Sequence, residues 1–562
     1  MLALIFSSFL NFFFFLTFGI FITKIVKIPA DFTEKLFIGL VASNTLTTCL
    51  SLFFPINYYT LLLFVATSSF LCFFLRKEIK EAIILIHKKE NILFSALPFL
   101  VVAVMISLNP PMNYDTGLYH LQSIKWIEKF SVVPGLANLH GRFGFNPNIF
   151  TFAALTSLAG LFHQEIFSVN FTIFTILVLY FINKLYTIFI RQGITNLFVF
   201  EVIIFIAILD LSDDLTSPAP DFLSTALVLF VLQNVLHLPD RKKNSDLRSY
   251  LSILILAVYA LTVKLAAMPV LVLAVFIVIK YKSEIRKLIW IIPLLAVIVL
   301  PWLVRNVILS GWLIFPFPLI DWFNFDWKVP ISEVTSIRES VTGWARSPDE
   351  QCIETAEMTL YNWFPSWWNR LMIINKLFFI ASLFFPVAAF VGHLIKKIKL
   401  DFNVIAIILT SLLGVIFWFI LAPDIRFGKS FIIIAASSPL LYLKFNIYRK
   451  PGIRPILVFS LIPIMLLGYF VVNNTGYISQ LIADKDSNRL ITPQVIPTPS
   501  EVHFKTYQIS GIKIYAPITG DQCSDHQIPC TDCPPDNTLM LRNGNLQSGF
   551  KHMMKNSKPS NK

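Results

Sequence analysis

From residue 2 to residue 22 the chain reads LALIFSSFLNFFFFLTFGIFI, without one charge. A helix rises about 1.5 Å per residue and the hydrocarbon core of a bilayer is about 30 Å thick, so a run of about 20 apolar residues is long enough to cross it. No basic segment precedes the run and no A-x-A-like site follows it, so it reads as a retained helix rather than a cleaved signal peptide. Comparable runs recur at 36–54, 58–75, 92–108, 166–190, 197–211, 222–236, 251–263, 266–279, 288–307, 371–394, 404–421, 430–443 and 456–472. The pattern predicts an all-α polytopic membrane protein with about fourteen transmembrane helices.

Composition agrees. Of 562 residues, 56% are hydrophobic and 14% charged, against roughly 25% charged in an average soluble domain. That excludes a soluble globular, disordered, collagen-like or disulfide-miniprotein class. The net charge of +13 does not point to nucleic acid, because the basic residues sit in short loops between apolar runs rather than on a basic domain.

The basic loops set an orientation. Cytoplasmic loops are 76–89, 241–248, 280–287, 396–399 and 444–454. Alternation then puts 109–148, 212–220, 308–370, 422–426 and everything after 472 outside. It closes only if the apolar stretch 149–162 does not cross, so that stretch reads as re-entrant or surface-lying. The organisation is therefore N-terminal transmembrane helices (1–108), a first outer loop with a surface helix (109–165), a transmembrane core that includes the outer loop 308–370 (166–472), and a small, partly β extracytoplasmic tail (473–562). Loop 308–370 carries Trp322, Trp327, Trp344, Trp363, Trp367 and Trp368, which suits either an aromatic belt at the membrane interface or contact with sugar or lipid.

Charges at membrane depth cost at least about 2.5 kcal/mol each, which makes them candidates for function. Here they gather on the outer side. Residues 109–120 read NPPMNYDTGLYH. Pro110 and Pro111 stop the preceding helix, and Asp115 heads the next, whose stripe Leu118, Leu121, Ile124 and Ile127 suits a helix lying on the membrane. Asp115 is either an N-cap or a catalytic base; His120 is either a ligand at the interface or a packing residue. Further along, Gly135, Gly141 and Gly144 surround Arg142, which can grip a phosphate bidentately or pair with a loop carboxylate. Asp213, Asp214 and Asp221 lie between two apolar runs, Asp221 at a helix start. Lys264 interrupts an apolar stretch, either snorkelling or neutralising a lipid phosphate. Arg305 ends a helix, and Asp424 and Arg426 stand between two runs, close enough to pair with each other.

These features in this order resemble the GT-C glycosyltransferases of the protein-mannosyl and aminoarabinose transferase type. The likeness covers about 105–310 and rests on Asp115 in a large first outer loop, the basic turn 191–195, the Ser-Pro to Asp helix start 217–221, the Thr-Val-Lys turn ending at Lys264, and Pro301-Trp302. The chain departs from that pattern by placing three spans before the helix that leads into the Asp115 loop, and it lacks a paired acidic motif beside Asp115. The whole chain also resembles an uncharacterised family of bacterial multi-pass proteins, in segments 114–146, 305–330 and 515–550.

The resemblance implies a bacterial inner-membrane enzyme that moves a sugar from a polyprenyl-phosphate donor to a glycan or lipid acceptor on the extracytoplasmic side. Asp115 takes the acceptor proton, and Lys264 with Arg305 or Arg426 stabilises the phosphate; His120, Arg142, Asp221 and Asp424 complete the substrate contacts. A divalent cation is possible on this reading, and no metal site is specified. A transporter or flippase of a lipid-linked glycan, or a polymerase of surface polysaccharide, remains open. Cys49 and Cys72 lie in apolar runs. Cys523, Cys530 and Cys533 cluster in the tail, where an outer location favours a disulfide over a zinc site completed by His526; the pair is not readable, and Cys352 is a further possible partner.

Overall fold

The computed structural model describes residues 1–87, 90–236, 238, 247–280, 289–348, 352–443, 446–448, 455–483 and 503–553. Most of the basic loops 241–248, 280–287 and 444–454 lies outside them, as does the side chain of Cys352.

Each of the fourteen apolar runs falls on helix. Among the described residues, five helices are long and apolar enough to cross a membrane: Leu2–Val26, Val169–Gln192, Ile291–Ser310, Ile373–Leu394 and Phe402–Leu421. The number rises to seven when two helix pairs, bent by 88° and 62°, each count as one span. The other apolar helices of the core are shorter, so length alone does not carry them across about 30 Å. Local chemistry sets many of the ends. Asp31 and Glu34 form a reciprocal capping box at the start of Phe32–Ser51, each bond 2.8 Å. Asp401 caps Phe402–Leu421. Ile291–Ser310 stops at Gly311, whose φ of 79° lets the chain turn out of the helix.

Between apolar side chains and lipid there is little hydrophobic drive, so close backbone contact and buried hydrogen bonds hold the bundle. Leu2–Val26 and Phe32–Ser51 cross at Gly19 and Gly39, where an added Cβ would stand 1.9 Å from the Lys35 carbonyl oxygen and 1.8 Å from that of Phe15. Asn44 links three elements: its Nδ2 donates to Thr151 Oγ1 (2.8 Å), and its Oδ1 accepts from Tyr259 (2.6 Å). Those bonds seat Ile149–Thr156, of which every residue is buried. The stretch expected to be re-entrant or surface-lying, 149–162, is thus a short helix sunk among others followed by a second short helix, Ala159–Phe162, with no buried residue.

Polar contacts divide the bundle into two poles. At one, Lys24 meets Glu78 (2.5 Å), Ser252 donates to Glu34 (2.9 Å), and strand Ile194–Thr195 pairs with Asn446–Tyr448. At the other lie the first loop, 210–221, 262–264, 305–370, 422–426 and the tail. The segments that the basic loops assign to one side therefore contact one another. Buried charge is not confined to the second pole, contrary to expectation: Lys184 and Glu201, 2.8 Å apart and both buried, sit in apolar helices two turns from the far end of Val169–Gln192.

The helix expected to lie on the membrane is a π-helical turn, Thr116–His120, running into Leu121–Lys129. Its apolar stripe is buried inside the protein instead, and the tail meets the helix at Gln122, Lys125 and Trp126. The tail is small and partly β, as expected: hairpin Phe504–Ile509 with Ile512–Pro517, and strand Leu539–Leu541 with Phe550–His552. Gln122 Nε2 donates to the Ser524 carbonyl (3.1 Å), Thr531 Oγ1 donates to that of Leu139 (2.8 Å), and Phe550 packs edge-on against Trp126 at 6.1 Å. Cys523 and Cys530 form a disulfide and Cys533 stays free. That bond removes two of the ligands a zinc site would need.

Candidate functional site

Four separate parts of the chain bring charged side chains together at the second pole. Asp115 stands at the N-cap position of the π-helical turn but makes no capping bond. Its Oδ2 instead lies 3.3 Å from Arg426 Nη1. Arg426 is the second residue of Ile425–Ala436, and its Nε also meets Asp424 Oδ2 at 3.0 Å. Asp221 lies in the first turn of Pro220–Val235, one residue inside Pro220, so it is not the N-cap expected; Ala219 holds that place. Asp221 pairs instead with Lys264, which leaves the end of Leu251–Val263 and lies 3.9 Å from the centre of the Phe427 ring. Arg426 faces the same ring at 4.8 Å. Phe427 thus carries a cation on each account, an arrangement that binds them through the ring's negative face.

Two indoles, one from the aromatic segment of 308–370 and one from Phe402–Leu421, brace this centre. Trp367 in Leu360–Arg370 donates Nε1 to the Pro423 carbonyl (2.7 Å), and Trp418 donates to that of Asp424 (2.6 Å). The Pro423–Asp424 turn, and with it Arg426, is fixed by two indoles. Trp322 and Trp344 remain exposed.

His120 is buried between Tyr119 (ring centres 4.4 Å apart) and Phe150 (5.2 Å). Burial holds its imidazole down to about 4, against the pull of Asp115 and Asp221. It is therefore neutral at neutral pH and packs rather than pairs. Asp214, beside Asn113 Nδ2 at 2.9 Å, is pushed up to about 7 by burial and then by Asp221. Arg142 lines a separate cavity. Arg305 does not join the cluster: its Nε donates to Asn146 Oδ1 (2.8 Å) and its Nη1 to Ser51 Oγ (3.0 Å), and neither bond reaches Asp115. It pins the first loop to Phe32–Ser51.

The sequence reading passed over a neighbouring set. Asp210 accepts from Tyr469 (2.5 Å) and lies 3.8 Å from Lys429. A charge inside an apolar run was the signal for Lys264, and the same signal marks Asp210, Lys184 and Glu201. Among the described residues no group of three His, Cys, Asp or Glu side chains is placed to hold a metal ion.

A family described as a domain of unknown function, DUF8201, matches residues 1–433. The chain belongs to the DUF8201 family. No curated protein and no solved structure matches it. The DUF8201 match spans all four contributors to the charged centre, Asp115, Asp221, Lys264 and Arg426, and ends before the tail that covers the first loop.

Proposed function

We propose that this DUF8201 protein is a membrane glycosyltransferase of GT-C type. On this reading about fourteen helices cross a bacterial inner membrane, and the pole bearing Asp115 faces the extracytoplasmic side. The donor is a polyprenyl-phosphate sugar and the acceptor a cell-envelope glycan or lipid. One observation carries the reading: Asp115, Asp221, Lys264 and Arg426, scattered over more than 300 residues, meet at the ends of apolar helices. Carboxylates there are costly unless paired, and Arg426, at 38% exposed, still reaches solvent.

The chemistry follows from the charges. Asp115 accepts the proton of an acceptor hydroxyl as its oxygen attacks the anomeric carbon. The bond from that carbon to the phosphate oxygen breaks, and the lipid phosphate leaves with the electron pair. Arg426 and Lys264 meet the negative charge that develops on it. Asp221 holds Lys264 in place and Asp424 holds Arg426.

The test is a transfer assay on purified protein in lipid, with labelled polyprenyl-phosphate sugars and envelope acceptors. A new covalent product from the wild type, lost in Asp115→Asn, supports the reading. Translocation of the lipid-linked sugar without any new bond replaces it with a flippase.

A further inference from the structure

A cavity of about 370 Å³ opens between the first loop, helix Ile331–Arg346 and the tail. Small-ligand sites start at about 300 Å³. Three distant stretches wall it: 137–142, 333–341 and 531–539, with His552. Donors and acceptors are interspersed on it: Arg142, His140, Ser336 and Ser340 beside Glu333 and Asp532.

His140 is the telling group. Its side chain is 1% exposed. Nε2 lies 3.3 Å from the Leu118 carbonyl, while Nδ1 has no hydrogen-bond partner and stands 3.5 Å from Asp532 Oδ2. A buried polar atom whose nearest partner is a carboxylate at the edge of hydrogen-bond reach is under-satisfied, and a ligand hydroxyl that bonds there removes that cost.

The lining narrows the ligand's chemistry. Glu333, Asp532 and Asp536 set three carboxylates against the one guanidinium of Arg142, which disfavours an anion such as phosphate. The described residues offer no three-ligand metal cluster. The polar groups are too evenly spread for a lipid chain. A neutral ligand carrying many hydroxyls satisfies both the donors and the acceptors.

We infer that this cavity binds a neutral saccharide, through His140, Arg142 and the carboxylates of Glu333 and Asp532. Its roof is the tail, beyond the 1–433 stretch matched by the family, so the choice of saccharide is set by this chain's own appendage. That the saccharide is the acceptor rests on the transferase reading; the binding itself does not.

Cys533 lines the cavity and is exposed, so its alkylation reports occupancy. The full chain in detergent is treated with iodoacetamide at mildly alkaline pH, because burial and Asp532 push this thiol up to about 11. Labelling of the Cys533 peptide is followed by mass spectrometry with each of a panel of neutral disaccharides, and with inorganic phosphate. A disaccharide at ten times its dissociation constant is expected to slow labelling about tenfold, phosphate is not, and Ser340→Trp or Ile337→Trp, each filling the cavity, abolishes the protection. Failure of every disaccharide, equal protection by phosphate, or protection that survives both tryptophan variants overturns the inference. If protection holds but the wild type transfers no sugar, the transferase reading falls and the saccharide site stands. If transfer persists at full rate in both tryptophan variants, the acceptor assignment is overturned.

Discussion

Arg426 Nη1 lies 3.3 Å from the carboxylate of Asp115, across 311 residues of chain, while its Nε holds Asp424 at 3.0 Å. One guanidinium therefore orients two carboxylates, and Asp115 is held without capping any helix. Its removal should spare the fold and spoil the chemistry. Asp115→Asn is expected to lower sugar transfer by at least about 100-fold, the lower end of what a general base contributes, with membrane yield and unfolding temperature near wild type. Arg426→Gln is expected to lower transfer as well and to loosen the 422–426 turn. An Asp115→Asn protein that transfers at the wild-type rate removes Asp115 from the reaction.

The Asp221–Lys264 pair is of the other kind. Both side chains are largely buried, at 9% and 22% exposed, and losing one partner leaves a charge without its counter-ion. Breaking a buried pair costs about 3–5 kcal/mol. Asp221→Asn is therefore expected to lower the unfolding temperature in detergent sharply, and Asp221→Asn with Lys264→Gln to recover part of the loss. A double variant less stable than the single one would show that the pair is not coupled in this way.

Asp214 gives a pH dependence. Its carboxyl is pushed up from 3.8 to about 7, first by burial and then by Asp221. Between these values the unfolded chain has released a proton that the folded chain keeps. The unfolded state binds fewer protons, so stability falls as pH rises from about 4 to 7 and levels off above. Asp214→Asn removes this contribution. Relative to wild type, the variant should gain stability steadily over that window when unfolding is measured at several pH values; parallel curves contradict the assignment.

Sequence made the helices legible because the bilayer demands it: a run such as 2–22 has one stable solution. Lys and Arg mark loops independently of tertiary structure, and the segments they assign together, such as the first loop, 212–220 and 422–426, do contact one another. The charged centre was legible as a set of suspects but not as partners. Asp424 with Arg426, two residues apart, was visible as a pair; Asp115 with Arg426 was not, because nothing local links them. Arg305 looked equivalent to Arg426 in sequence, each a guanidinium at an apolar boundary, and only the fold turns one to Asn146 and Ser51 and the other to Asp115. The amphipathic stripe of 118–127 was read correctly as one-sided, but its cover was misjudged. A stripe reports that something apolar covers it, and here that is the protein's own core rather than lipid: Leu118, Leu121, Ile124 and Ile127 are all buried, in one cluster with Phe150 and Phe152. Asn44 and Thr151 were invisible for a related reason: small polar residues barely lower the apolarity of a run, yet they carry its helix-to-helix bonds.

The docking of the tail turns on Gly549. Its φ of 92° with ψ of −169° is a backbone conformation that glycine alone adopts readily, and an added Cβ would sit 1.9 Å from the Pro134 carbonyl oxygen. The next residue, Phe550, donates its N–H to that same oxygen (3.0 Å) and packs on Trp126. Backbone atoms cannot yield as a flexible side chain can, so Gly549→Ala must move the strand off the first loop. Gly544 is the comparison: its φ of 72° is also positive, so alanine carries a backbone cost there too, about 1–2 kcal/mol in the left-handed region, but nothing lies within 4 Å of an added Cβ. Limited trypsin digestion at Arg542 and Lys551 reads the difference. Gly549→Ala is expected to be cut well before Gly544→Ala, and to lose saccharide protection of Cys533, because the tail roofs that cavity. Equal cleavage of the two variants would mean that the Pro134 contact does not hold the tail.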